Sequence, residues 1–142
     1  MFSISHLHPM LVHFPIALIA IGFLAELAFL FFKKEVALTK MGFYLLIVGT
    51  LAACISWLTG NFFTSEMDGA AGKIRDTHEL FATITVGLLL LTSAIRIFQL
   101  LRKNENPKLK WFAFVMYAFA ATSVSITGLF GGVLVYNYML GL

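Results

Sequence analysis

Charged side chains are scarce in this sequence. They make up 12% of its 142 residues, whereas hydrophobic side chains make up 60%. A soluble domain has about a quarter charged residues and about half apolar ones. The chain therefore has too little polar surface for a water-soluble domain, and its composition predicts an all-α integral membrane protein.

Other absences narrow the class of function. Cysteine occurs once, as Cys54, so the chain forms no intrachain disulfide. No nucleophile elbow, phosphate-binding loop or paired-carboxylate arrangement is present, which favours an electron carrier or an accessory subunit over an enzyme. The net charge of +3 comes without a basic groove containing interleaved aromatic residues, so we expect no nucleic-acid partner.

Long apolar segments dominate what is present. Four of them approach the roughly 20 residues that a helix needs to cross the hydrocarbon core of a bilayer. They cover residues 14–32, 41–63, 80–101 and 111–135. We predict a single domain, residues 1–142, folded as a transmembrane four-helix bundle in contact with the lipid bilayer.

Positive charge is divided unevenly between the ends of these segments. No Lys or Arg precedes the first segment, which argues against a secretory signal peptide. The positive-inside rule places both termini on the outer, periplasmic side of a bacterial inner membrane. Only Lys73 and Arg75 flank the outer face. The inner face carries the other basic residues: Lys33, Lys34, Lys40, Arg96, Arg102, Lys103, Lys108 and Lys110.

All four histidines lie at the predicted outer face. His6, His8 and His13 surround the start of the first segment, in a run that continues His8-Pro9-Met10-Leu11-Val12-His13-Phe14-Pro15, and His78 precedes the third. Both segments run from outside to inside, so His13 and His78 begin their spans at similar depth. Side chains on facing helices of a bundle commonly build cofactor sites.

Imidazole coordinates iron, copper and zinc in its neutral form. We predict that His13 and His78 hold a b-type haem near the periplasmic face, with His8 as the reserve ligand. The protein would then exchange electrons with a periplasmic or membrane redox partner.

Small and basic residues complete this hypothesis. Gly60 and Gly128 belong to small-residue ridges in the second and fourth segments, at the depth of the histidines. The usual explanation of such ridges is close helix packing, and the other is room for a flat ligand. Arg75, near His78, is the candidate partner of the haem propionates.

Two other interpretations of the histidines stay open. His8, His13 and His78, with Glu79 or His6 as a further ligand, are also suitable for a zinc or copper ion. Alternatively, the histidines bind lipid headgroups and the chain is a structural subunit of a larger membrane complex or a homo-oligomer.

Local patterns predict where two helices begin. The ring of Pro15 would clash with the carbonyl of Leu11, four residues earlier, in a continuous helix. A helix that runs through Leu11 should therefore be disturbed there. Asp76 followed by Glu79 has the spacing of a capping box and predicts that the third helix begins at Asp76. His78 would then lie in the first helical turn, where the helix dipole favours neutral imidazole.

Glu26 lies within the first predicted span. An unpaired carboxylate is costly at this depth, so the residue is expected either to be protonated and hydrogen-bonded or to pair with Arg96 across the bundle.

The opening His8-Pro9-x-x-Val12-His13-Phe14-Pro15-Ile16-Ala17-Leu18 resembles the signature of an uncharacterised bacterial family of small four-helix membrane proteins, a domain of unknown function. The resemblance covers the whole chain. The family resemblance includes an acidic residue in the first helix, a Thr-Gly near the end of the second and a His in the third. These correspond here to Glu26, Thr59-Gly60 and His78. The family usually has Asp at the position of Glu26. The layout is also similar to b561-like membrane cytochromes, and some relatives resemble partners of c-type cytochrome modules. This resemblance implies haem binding without assigning an activity.

Overall fold

The computed structural model describes residues 7–64 and 66–139, and nearly all of them are helical. Among these residues, four helices are long and apolar enough to cross a membrane. The helices are α1 (Leu7–Leu11), α2 (His13–Phe31), α3 (Val36–Phe63), α4 (Gly69–Arg102) and α5 (Pro107–Leu134), and α5 continues as a π-helix (Val135–Met139). The predicted all-α, multi-pass membrane architecture is confirmed.

The first helix is interrupted where Pro15 predicts a disturbance. Because Pro15 has no N–H to donate to the carbonyl of Leu11, α1 ends at Leu11 and α2 begins at His13. The N–H of Val12 donates to the carbonyl of His8 at 3.2 Å, which bridges the interruption. The short helix α1 therefore carries His8, whereas α2 carries His13.

The predicted start of the third span is wrong. Helix α4 begins at Gly69, and Asp76 lies inside it rather than at a cap. A helix of 34 residues is about 50 Å long and exceeds the roughly 30 Å hydrocarbon core, so its first turns extend beyond the apolar segment. His78 is the tenth residue of α4, and the argument from the helix dipole does not apply to it.

The other helices also extend beyond their apolar segments. Helix α3 begins at Val36 and α5 at Pro107, several residues ahead of the apolar runs. Asn106 caps α5 by accepting the backbone N–H of Lys108 at 2.9 Å, and Pro107 occupies the first turn without losing a hydrogen bond.

The centre of the bundle is packed by large apolar side chains, with Ile19, Leu46 and Leu89 fully buried. Glycines let helices approach closely. A Cβ atom on Gly49 would come within 3.0 Å of Ile19 Cγ1, and one on Gly128 within 3.0 Å of Ile16 Cδ1. Gly49 and Gly128 therefore allow close helix packing, whereas Gly60 lies against the His8 ring.

Glu26 and Arg96 form an ion pair between α2 and α4. Glu26 is 6% exposed, and Gly42 of α3 makes room for it, since any Cβ at position 42 would overlap the Glu26 side chain. Of the two predicted alternatives for Glu26, pairing with Arg96 is confirmed.

Candidate cofactor site

Two histidine rings lie opposite each other at one end of the bundle, which we call the histidine end. They are His8 of α1 and His78 of α4, both half-buried. Their ring centroids are 6.2 Å apart and their planes meet at 81°. The structure thus pairs His78 with His8, the residue that the sequence suggested as a reserve ligand. We call these two residues the histidine pair.

Hydrogen bonds determine the protonation of both rings. His78 Nδ1 donates to the carbonyl of Thr127 at 2.9 Å, and His8 Nδ1 donates to the carbonyl of Ser56 at 3.0 Å. The Thr59 hydroxyl, 3.2 Å from His8 Nδ1, itself donates to Ser56, so it accepts from the ring. Carbonyl oxygens only accept, which assigns the protons to Nδ1 and leaves a lone pair on each Nε2. Metal-binding histidines are commonly oriented in this way.

The distance between the ring centroids of the histidine pair equals that expected for two imidazoles bound on opposite sides of one metal ion. A metal–nitrogen bond of about 2 Å, with about 1 Å from nitrogen to ring centre, gives centroids about 6 Å apart. Tetrahedral coordination would bring them to about 5 Å. Within residues 7–64 and 66–139, no group of three or more His, Cys, Asp or Glu side chains is placed to hold an ion. The site therefore offers two protein ligands.

Both histidines line a cavity of about 250 Å³. Glycines form the wall beside each ring. A Cβ on Gly60 would lie 2.9 Å from His8 Cε1, and one on Gly131 would lie 3.2 Å from His78 Cε1. The absence of side chains at these two positions gives the rings their room.

The cavity, which we call the inner cavity, also contains a buried hydroxyl. Ser56 lines it and is 6% exposed, and its Oγ has no hydrogen-bond partner among the described residues. A buried polar group left without a partner costs about 1–3 kcal/mol. The Ser56 hydroxyl is therefore available to hydrogen-bond a group in this cavity.

The remaining predicted site residues are divided around the inner cavity. Arg75, Glu79 and Gly128 line it. His13 lies at its rim with an exposed side chain, and its Nδ1 donates to the carbonyl of Pro9 at 2.8 Å. The structure thus does not place His13 opposite His78, and His6 lies outside the described residues.

Sequence reasoning overlooked Thr127. Its contribution to the site is its backbone carbonyl, which every residue possesses, so its side chain offered no signal.

A family model described as Predicted membrane protein (DUF2231) matches residues 5–142. The chain belongs to this family. The predicted membership of an uncharacterised membrane-protein family is confirmed. No curated protein and no solved structure matches the chain. The likeness to b561-like cytochromes stays a prediction.

A second cavity of this DUF2231 protein adjoins the first. It is a shallow, widely open depression between α2 and α5, and we call it the side cavity. The residues that line both cavities are His13, Ile16, Gly128, Gly132 and Tyr136. His13 therefore lies between the two cavities.

Proposed function

We propose that this DUF2231 protein is a membrane electron-transfer protein that binds one b-type haem through Nε2 of His8 and Nε2 of His78. The observation that carries the proposal is the histidine pair, with centroids 6.2 Å apart and each Nδ1 held by a backbone carbonyl. This revises the predicted ligands, since His8 takes the place of His13.

The number of ligands favours haem over a bare ion. Zinc sites use three or four protein ligands, whereas a haem would need at most two ligands from the protein. His8 and His78 would supply them. A haem bound there supplies one-electron redox chemistry, and the chain's own residues orient the ligands and restrict access by water.

Side chains around the histidine pair support a ligand with acidic groups. Ligand pockets usually measure about 300–1,000 Å³, and the inner cavity measures about 250 Å³, so a haem would require the side chains around it to move apart. Arg75 lines the inner cavity, and its guanidinium is suited to bind a propionate in a bidentate manner. Ser56 offers a hydroxyl for a further hydrogen bond.

Charge distribution supports a partner on the periplasmic side of an inner membrane. The basic residues gather at the end of the bundle opposite the histidine pair, and such ends face the cytoplasm. The proposed haem would then lie close to the outer surface, within reach of a periplasmic or membrane redox partner.

An absorption spectrum tests the proposal. Protein purified from cells with ample haem should show a Soret band, and His8→Ala or His78→Ala should abolish it because each removes an axial ligand. His13→Ala is the matched control, since His13 neighbours the site without belonging to the pair, and it should retain the band.

Other outcomes would count against haem. A colourless preparation with one equivalent of copper or zinc that His8→Ala releases would show that the pair binds a bare ion. A Soret band that persists in both His8→Ala and His78→Ala would show that haem binds elsewhere.

A further inference from the structure

The segment that joins α4 to α5 is rich in basic residues. Residues 102–108 read Arg-Lys-Asn-Glu-Asn-Pro-Lys, and we call this segment the basic connection. Its three basic side chains are exposed, and its carboxylate, Glu105, pairs with Lys110 of α5. In the part of the chain that the structure describes, Arg102, Lys103 and Lys108 form no ion pair. Their three positive charges are therefore free to meet another molecule.

Hydrogen bonds hold the backbone of the basic connection in one conformation. The N–H of Lys103 donates to the carbonyl of Leu100 at 3.3 Å, and the N–H of Asn104 donates to the carbonyl of Gln99 at 2.9 Å. These two bonds form a Schellman motif, which ends α4. The N–H of Asn106 donates to the side chain of Asn104 at 2.9 Å. An ordered backbone lowers the entropic cost of gathering the three basic groups around one ligand.

Lys103 occupies a position in the motif that favours glycine. Its φ of 47° and ψ of 41° are left-handed, a conformation that disfavours every residue with a Cβ atom. Glycine is the usual residue at this position of a Schellman motif. The lysine therefore gives up backbone stability, and what its side chain adds to the basic connection is a positive charge.

Exposed aromatic residues lie one helical turn from the basic connection. Trp111 and Phe112 follow Lys108 by three and four residues, so all three lie on the same side of α5. Trp111 is 57% exposed and Phe112 is 50% exposed. Because α5 is long and apolar enough to cross a membrane, these side chains contact lipid near the membrane surface. A molecule that meets both the charges and the aromatic surface has an anionic head and an apolar tail.

We infer that the basic connection binds an anionic phospholipid, with Arg102, Lys103 and Lys108 around the head-group phosphate and an acyl chain along Trp111. Basic residues beside a membrane-spanning helix attract anionic lipids, about fivefold for each residue near the surface. The site lies at the end of the bundle opposite the histidine pair. It uses no residue of the proposed haem site and does not depend on it.

Fluorescence of Trp111 tests the inference. The chain contains two tryptophans, so Trp57→Phe leaves Trp111 as the single reporter in the whole chain reconstituted in bilayers. Quenching by phosphatidylglycerol with brominated acyl chains, a minor component in phosphatidylcholine, is compared with quenching by equally brominated phosphatidylcholine. We expect phosphatidylglycerol to be enriched at Trp111 by at least about fivefold.

The other tryptophan reports on the opposite end of the bundle. Trp111→Phe keeps Trp57, which lines the inner cavity near the histidine pair. Quenching of Trp57 by the two brominated lipids should agree within about 1.5-fold, because no comparable group of basic residues lies at that end.

Removing the three charges should abolish the enrichment at Trp111. The variant replaces Arg102, Lys103 and Lys108 by Gln. The matched control replaces three exposed basic residues at the same end of the bundle by Gln: Lys33, Lys34 and Lys40. Both variants lose the same number of charges, and the control should keep the enrichment within about twofold of the parent.

Lys103→Gly separates lipid binding from folding. Glycine adopts the left-handed conformation at no steric cost, so this variant should melt at the same temperature as the parent or higher. The enrichment of phosphatidylglycerol should nevertheless fall about twofold to fivefold, the effect of one basic residue at the membrane surface.

Three results would overturn the inference. Equal quenching of Trp111 by the two lipids would show that no anionic lipid is selected. Equal losses in the two triple variants would show that the total charge of this end attracts the lipid, rather than the basic connection. Loss of the enrichment when inorganic phosphate is added would identify a free phosphate ion as the ligand.

Discussion

Glu26 and Arg96 are charged residues inside a membrane-spanning bundle, and their ion pair offsets the energetic cost of burying each charge. A charge without a partner at this depth is costly, and charged residues in such helices usually face the interior and pair. The pair joins α2 to α4 at the end of the bundle opposite the histidine pair. Gly42 of α3 leaves the space that the carboxylate occupies.

Removing one member of this pair should destabilise the fold. Arg96→Met leaves the Glu26 carboxylate buried without its partner, and we expect a loss of about 3–5 kcal/mol in the free energy of unfolding. Reversible unfolding in mixed SDS micelles measures it. Adding Glu26→Gln should recover most of the loss, because no buried charge then remains.

The exposed ion pair provides the control. Lys110 and Glu105 are 47% and 81% exposed, so Lys110→Met should cost at most about 1 kcal/mol. Equal losses for Arg96→Met and Lys110→Met would contradict the structural role of the buried pair.

Neighbouring helices approach closely at glycines that belong to the small-residue ridges. Gly49 of α3 contacts Ile19 of α2, whereas in the described structure a Cβ on Gly87 of α4 meets nothing within 4 Å. Ridges turned inwards serve the bundle itself.

Enlarging these two glycines should therefore have unequal effects. Gly49→Leu forces α2 and α3 apart, and we expect it to lower the free energy of unfolding by about 1–3 kcal/mol. Gly87→Leu points into open space and should change stability by less than about 1 kcal/mol. Thermal unfolding in detergent distinguishes them, and equal shifts in melting temperature would contradict the packing described.

The whole molecule has two chemically different ends. The histidine pair and both cavities lie at one end, and the connections rich in Lys and Arg lie at the other. If the basic end faces the cytoplasm, the proposed haem site lies in the periplasmic half of the membrane.

Cysteine labelling tests this orientation. In a Cys54→Ser background, Asp68→Cys places a thiol between α3 and α4, and Asn104→Cys places one between α4 and α5. A membrane-impermeant maleimide should label position 68 in intact spheroplasts, and position 104 only after permeabilisation. The opposite pattern would reverse the predicted topology.

Much of the fold was predictable because bilayer length and helix periodicity act locally. The four spans and the interruption ahead of Pro15 follow from such rules. The pairing of Glu26 with Arg96 was one of two alternatives predicted from the cost of an unpaired charge in the membrane. The start of α4 could not be predicted in this way. The residues from Gly69 onwards are polar enough to resemble a loop, although they belong to the helix. Redox function and cofactor binding stay predictions.

The sequence by itself determined a multi-pass helical membrane protein, its family and the concentration of histidines at one end, because these depend on composition and on residue order. Only the tertiary structure decided which histidines meet. The break at Val12 places His8 on α1 and His13 on α2. His8 therefore contacts α3 and lies opposite His78, whereas His13 lies at the rim of the inner cavity. That choice depends on the direction of a short helix and on the carbonyls of Ser56 and Thr127, which no side-chain pattern specifies.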